Sequence, residues 1–411
     1  MGGRTCLAVA SAALLAGACY ASAPAHRTLR VTARDAAATL APVSITVLAP
    51  SWARSATLQD QQGRPVACDV SITEVTPGVK GSDRRATLTW LVAGLPQGKS
   101  RAYRLNFGKA TPAGTATVTL KPGSGLVQVF VNGTLLTAYN WAGFAKPFLF
   151  PVRGPSGRFI TRSFPMEEVP GEPTDHPHQR SVWFTHGSVN GVDFWTEGGN
   201  AGHMVPKGPP ALEEGKVCAR IRGRSDWVGK EGKVCEDEHQ WTCYATGPQG
   251  GSLLDFEITI KATEGPVTFG DTKEGTFGVR VLPSMQVAGG GGHIVTSEGL
   301  RDGKAWGTRA DWCDYYGPVE QATVGIAILD HPANLRHPTW WHVRDYGLFA
   351  ANPFGIHDFT STKGEPGAYT IPKGGSLTFR YRLYLHSGDT EAAKVVAAWA
   401  DYATPPVVEV L

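Results

Sequence analysis

The chain has 411 residues and a formal net charge of +3, and charged side chains make up only 18% of it. So small and dispersed a charge, with no Lys/Arg run, argues against a nucleic-acid-binding surface. No stretch reaches the ~20 consecutive apolar residues that a membrane-spanning helix needs.

The length predicts two or three domains, and 50 glycines with 29 prolines suit many short strands joined by tight turns. Residues 1–25 read as an export signal: Arg4 starts it, an apolar run follows over 7–18, and Ala21, Ala23 and Ala25 offer small-residue cleavage positions. Cys19 stands in a lipoprotein-like box in which Ala16 replaces the usual larger aliphatic, so a lipid anchor is the secondary reading. The mature protein is therefore expected to be periplasmic or secreted. Beyond the signal lie Cys68, Cys218, Cys235, Cys243 and Cys313. This odd set leaves at least one thiol unpaired, and a disulfide is expected among Cys218, Cys235 and Cys243. None of these has the spacing of a zinc knuckle.

Over 26–110 the pattern is strand, turn, strand. Residues 29–31, 43–47, 86–91 and 103–107 alternate with period two, and breakers such as Gly63 and Pro65 stand between them. A small N-terminal β-sandwich is predicted, with a structural or spacing role. Residues 111–115 read as a linker. From 116 to 411 strands resume, including 127–131 with a hairpin signal at Asn132-Gly133, then 253–260, 324–329 and 377–386. Only 390–402 has a helical apolar stripe. The fold class is all-β: a small sandwich, then a large antiparallel, supersandwich-like one with one C-terminal helix. All of the 12 histidines except His26 fall in the larger domain.

Two polar blocks there carry the chemistry. In the first, His176, His178 and Arg180 stand at spacing two, which in an extended segment puts them on one face. In the second, His342, Arg344 and Tyr346 repeat that spacing, leaving Trp341 and Val343 to turn inward. His, Arg and Tyr together can abstract a proton, neutralise a developing anion and return a proton. They would equally serve as a polar sheet face. Around the blocks lie Trp183, Trp195, Trp306, Trp312, Tyr315, Tyr316, Trp340 and Trp341, which could stack on sugar rings or fill a β core. Carboxylate candidates are Asp193, Glu274, Asp314 and Asp330; glycoside hydrolysis ordinarily needs two.

A His-x-His pair on a strand can also ligate a metal. Here Val182 stands where the expected acidic ligand would be, and Pro177 disfavours a regular strand. No cofactor is expected, and a divalent metal is the weaker reading. Gly289 to Gly292 lack a following helix and read as a hairpin tip rather than a phosphate cradle.

With these motifs assembled, the chain resembles a family of exported bacterial proteins that bears a methane-oxygenase label (PmoA-like), over roughly 139–386. The resemblance is carried by Asp175-His176-Pro177-His178-x-Arg180, Asn190-Gly191-Val192-Asp193-Phe194-Trp195 and Asp271-Thr272-Lys273-Glu274-Gly275. Trp306-Gly307-x-Arg309-Ala310-x-Trp312, Asp330-His331-Pro332-x-Asn334-x-Arg336-His337 and Gly347-Leu348-Phe349-Ala350-Ala351-Asn352 extend it. Relatives read His-Pro-His-His-Arg-Gly at the first motif, where this chain has Gln179 and Ser181. The methane-oxidising subunit is a multi-helix membrane protein, so the label does not fit a chain without a span. The resemblance implies instead a galactose-mutarotase-like β-sandwich and an association with polysaccharide degradation and sugar oxidoreductases.

The expectation is an exported carbohydrate-active enzyme, a hydrolase or lyase cleaving glycosides. His176 or His178 would act as acid/base, Arg180 would orient substrate, and Glu274, Asp193 or His342 would be the second catalytic group. Trp183, Trp195, Asp314, Tyr315, His337, Trp341, Arg344 and Asn352 would bind the carbohydrate. The alternatives are a noncatalytic carbohydrate-binding protein and a mutarotase-type epimerase. Both polar blocks are expected around one concave pocket.

Overall fold

The computed structural model describes residues 24–75, 84–110, 116–246, 251–364 and 366–411. The export signal lies outside the described residues apart from its last two positions, and the 111–115 linker lies wholly outside them. The chain is all-β. Near its start, a three-stranded sheet (Ala38–Ala49, Arg84–Leu95, Asp69–Glu74) packs on a five-stranded one. Alternation places Val43, Leu88 and Trp90 of the first against Leu29, Val31 and Leu105 of the second, all buried. The last strand, Val407–Val410, returns to this sandwich and pairs antiparallel with the first, Leu29 opposite Val410.

The larger sandwich consists of two nine-stranded antiparallel sheets. One of them, called here the site sheet, runs in the order Arg309–Ala310, Thr339–Val343, Leu348–Asn352, Gly275–Arg280, Val182–His186, Phe148–Val152, Thr134–Asn140, Leu126–Val131, Val118–Pro122. The opposing sheet is centred on Gly232–Tyr244, Ser252–Lys261 and Ser376–Ser387. Period-two alternation decides which residues meet between them. Phe184, Phe277, Val279, Trp341, Val343, Phe349 and Ala351 face inward and join Trp241, Phe256 and Tyr381 in one core. One polar clamp crosses that core: His239 Nδ1 donates to Asp237 Oδ1 (2.5 Å) and its Nε2 meets the Tyr139 hydroxyl of the facing sheet. Gly223 makes room for it, since a Cβ there would stand 2.4 Å from His239 Nε2.

Two carboxylates fasten the small sandwich to the large one. Asp69 accepts the backbone N–H groups of Lys216 (2.6 Å) and Cys218 (2.8 Å), and Asp401 accepts those of Thr39 (3.0 Å) and Leu40 (2.7 Å). Asp401 lies on the C-terminal helix, Val395–Ala403. That helix starts later than the apolar stripe suggests, because Lys394 takes a left-handed φ of 54° and breaks the first turn. The glycine tract likewise forms a tight turn rather than a free tip, with Gly290 and Gly292 packed on the carbonyls of Pro283 and Met285.

The expected disulfide does not form: all five described cysteines are free. The geometry forbids it. Cys235 and Cys243 point into the core from one strand, eight residues or ~26 Å apart. Cys218 stands opposite Tyr244 and packs with Leu253 away from that core, so it and Cys243 point to opposite faces. Among the described residues no helix is long and apolar enough to cross a membrane.

Candidate functional site

The site lies on the outward face of the site sheet. There Phe148, Phe150, Trp183, Leu348 and Ala350, all buried, form a second apolar layer with Trp195 and Tyr346. Gly278 permits it, because a Cβ at that position would meet the Trp183 ring at 2.8 Å. The segment 162–181 folds over this layer as an irregular loop.

That loop is built around buried guanidinium groups. Arg162 donates to the carbonyls of Phe164 (3.1 Å), Asp175 (2.9 Å) and His176 (3.0 Å), and to Asp175 Oδ1 (2.7 Å). Arg280, pointing outward from its strand, donates to both oxygens of Asp175 (3.0 Å each) and to Gln179 Oε1 (2.5 Å). Asp175 therefore ties the loop to the sheet. Burial would raise its pKa, but the bonds from His176, Arg280 and Arg162 outweigh burial and hold the carboxyl below its ordinary value.

The expected extended run through His176, His178 and Arg180 is not there. His176 takes a left-handed φ of 46° and the strand begins only at Val182. Arg180 consequently turns away and binds Glu197 through two nitrogens (2.9 and 2.7 Å), its guanidinium over the Phe144 and Phe148 rings. Lys146, fully buried, joins them: its ammonium lies 3.2 Å from Glu197 and donates to the Trp195 carbonyl (2.8 Å). Burial lowers the Lys146 pKa to about 8.

The two histidines remain together, and the second polar block meets them. His176 stacks on Tyr346, with ring centroids 5.3 Å apart and planes at 5°, and lies edge-on to His178 at 5.7 Å. His178 in turn leans on Trp195 (6.4 Å). Burial, then the charges of Lys146 and His176, lowers the His178 pKa to about 4, so it is neutral at pH 7. Tyr346 also lies under the Arg280 guanidinium (4.6 Å) and within 5.9 Å of Arg344, which is itself 5.9 Å from Trp306. Arg344 is exposed and makes no ion pair among the described residues. Glu274 is half-buried and paired with Lys273 (3.2 Å).

Other expected site residues serve the fold. His342 points outward as predicted but is buried, its Nδ1 donating to the Lys273 carbonyl (2.7 Å). Asp193 caps a turn by accepting the N–H of Trp195 (2.8 Å) and Thr196 (3.1 Å), although its charge still acts on His178. Trp183 and Trp195 are 1% exposed, so they floor the site and cannot stack on a sugar. Trp341 is in the inter-sheet core, its indole donating to the Ala310 carbonyl (3.0 Å).

Asn352 is buried and bridges the Thr272 and Lys273 carbonyls (2.9 Å each). Tyr315 is buried too, its hydroxyl 3.2 Å from the carbonyls of Arg344 and Asp345, which steadies the turn presenting Arg344. Asp314 lies on the opposing sheet, bound to His386 (2.9 Å) and Thr390 (2.6 Å). His337 is held between Asp330 (2.7 Å) and Asp311 (3.2 Å) and stacks on Trp399. The face is thus an open one shared by His176, His178, Arg344 and Tyr346, and not a pocket that includes His342.

Sequence reading missed Arg162, Arg280, Lys146 and Glu197. Asp175 opens one named motif and Glu197 follows another, but nothing in a sequence pairs them with distant cations. Among the described residues no group of three or more His, Cys, Asp or Glu side chains is placed to hold a metal ion.

Solved structures similar to the chain include the following two. One is an alpha-mannosidase from Enterococcus faecalis V583, with 13% identity, TM-score 0.44, and 94% of this chain against 46% of that one. The other is a protein in the Glycosyl Hydrolase Family 38 from Enterococcus faecalis, with 12% identity, TM-score 0.45, and 94% against 47%. The chain spans about half the length of either, and TM-scores below 0.5 establish neither fold nor chemistry. No curated protein matches. The resemblance to a methane-oxygenase-labelled family is corrected by the family model that does match, over residues 126–400, which carries no such label. That match covers both polar blocks, and the chain belongs to the family described as "Family of unknown function (DUF6807)".

Proposed function

We propose that the protein is an exported carbohydrate-active enzyme that cleaves glycosidic linkages, with imidazole and phenol groups rather than paired carboxyls moving the protons. One observation carries this reading: among the described residues the His178 and Arg344 side chains make no ion pair, and beside them stand Tyr346, bonded to Gln179, and His176, bonded to Asp175. Most carboxylates are committed, Asp175 to Arg162 and Arg280, Glu197 to Arg180 and Lys146, Glu274 to Lys273, and Asp193 to a turn, whereas Asp345 keeps Oδ1 buried without a partner among the described residues. Two free carboxyl groups flanking a scissile bond, the usual hydrolytic arrangement, are not supported.

A neutral His178 can accept a proton, and Tyr346, whose pKa burial raises, keeps its proton to donate. Half-buried Trp306 and exposed Phe144 supply planar surface for a sugar ring in place of the buried Trp183 and Trp195. Purified protein should be screened against polysaccharides and glycosides, including 3-keto-glycosides, in the presence of a chelator, with products read by mass spectrometry. Cleavage that persists under chelation is the expected result. Binding without any product would make the protein a noncatalytic carbohydrate binder.

A further inference from the structure

We infer that the sugar taken by this face carries a carboxylate, a hexuronate unit anchored by Arg344, and that its cleavage is an elimination. This deepens the glycan-cleaving reading and rests on it. Charge comes first. Two carboxylates of the site are each shared by two cations: Asp175 by Arg162 and Arg280, Glu197 by Lys146 and Arg180. Glu274 answers only Lys273, and Asp345, next to Arg344, turns its carboxylate to the Gly303 side without pairing with its neighbour. Arg344 is exposed and makes no ion pair among the described residues.

Shape comes second. A guanidinium presents a planar fork that matches a carboxylate through two parallel hydrogen bonds. Arg344 holds that fork beside the Trp306 and Tyr346 rings, each 5.9 Å away. A pyranose bearing a carboxylate can meet ring and fork together.

The chemistry then closes without a cofactor. In a 4-linked uronide, the carboxylate acidifies the hydrogen on the adjacent ring carbon, C5. His178 takes that proton, and the C5–H electron pair becomes the C4=C5 double bond. The C4–O bond breaks and its electron pair leaves with the glycosidic oxygen, which Tyr346 protonates. Negative charge that builds on the carboxylate during proton removal is met by Arg344. One acceptor, one donor and one anion-neutralising group suffice, and His178, Tyr346 and Arg344 are those three.

The test uses the full chain with polygalacturonate, alginate and hyaluronan, their carboxyl-reduced forms, and dextran sulfate. Cleavage is followed by ultraviolet absorbance of an unsaturated product end, and affinity by calorimetry. A uronate polymer should give unsaturated ends, its carboxyl-reduced form should give none, and Arg344→Ala should weaken uronate binding by about tenfold or more while Arg344→Lys restores part of it. Equal cleavage of carboxyl-reduced polymer, saturated ends, or preference for dextran sulfate would overturn the inference and leave the glycan-cleaving reading standing. If no polymer is cleaved, that reading fails instead. Arg344-dependent binding would then still support the substrate class, and its absence would overturn it.

Discussion

The imidazole of His176 lies parallel to the phenol of Tyr346, with centroids 5.3 Å apart and planes 5° from parallel. This stack joins two polar blocks far apart in the chain, and it separates a packing role of the phenol from a chemical one. Tyr346→Phe keeps the ring and should cost about 1 kcal/mol or less of stability, whereas Tyr346→Ala should cost about 2 kcal/mol or more. Both should lose turnover. Denaturant unfolding beside initial rates checks this, and a fully active Tyr346→Phe protein would remove the phenol as proton donor.

Asp175 compensates two guanidinium groups that are almost completely buried, with side-chain exposures of 0% for Arg162 and 1% for Arg280. Asp175→Ala would leave both charges unanswered. Removing one partner of a buried pair typically costs 3–5 kcal/mol; Asp175 is 38% exposed, so a loss of about 3 kcal/mol is expected. Chemical denaturation measures it. A loss below about 1 kcal/mol would mean that water or Gln179 already satisfies the two arginines.

Gly278 lies beneath Trp183, where a Cβ would come within 2.8 Å of the indole. The ring is packed between its strand and Trp195 (5.1 Å) and has little room to yield. Gly278→Ala should therefore destabilise by about 1–3 kcal/mol through overpacking. It should also slow turnover, since Trp195 supports His178. Unchanged unfolding and turnover would show the apolar floor to be compliant.

Much of this was legible in the sequence. Period-two alternation marks the strands and sends Trp341 and Val343 inward while His342 and Arg344 point out, and the C-terminal apolar stripe marks a helix. Other features depend on contacts that a local pattern does not contain. Val407–Val410 pairs with the first strand across nearly the whole chain. His-Pro-His reads as extended by spacing, yet Arg162 gathers the carbonyls of Asp175 and His176 and bends the loop, so Arg180 leaves for Glu197. By residue type Asp193 looks catalytic, and Asp314, His337 and Asn352 look able to bind a carbohydrate. Each is instead spent on a backbone group or a buried partner that only the fold brings near.

Stability should fall as pH drops below neutrality. His178, His186 and His342 all have pKa values lowered to about 4, burial being the largest cause in each, from an ordinary 6.5. Between those values the unfolded chain binds protons that the native state refuses, so stability is full above about pH 6.5 and is lost toward pH 4. His337, whose pKa is raised by Asp330 against the effect of burial, opposes this, as do Asp311, Asp330 and Asp401, whose carboxyls burial pushes up. His186 donates Nε2–H to the Gly270 carbonyl (2.8 Å), and Gln can offer a similar donor. Denaturant midpoints at about pH 7 and 5 should differ less for His186→Gln than for wild type. An identical pH slope would contradict a neutral buried His186.

The central claim is that His178 moves a proton in the reaction rather than merely holding a sugar. Turnover and glycan affinity of His178→Ala, measured side by side with wild type on a substrate found by screening, test it most directly. Catalysis by a positioned histidine is commonly worth ~10²–10⁴-fold in rate, so turnover should fall by that factor while affinity stays within a few-fold. Undiminished turnover would contradict the claim, as would a collapse of affinity with the rate at saturation unchanged.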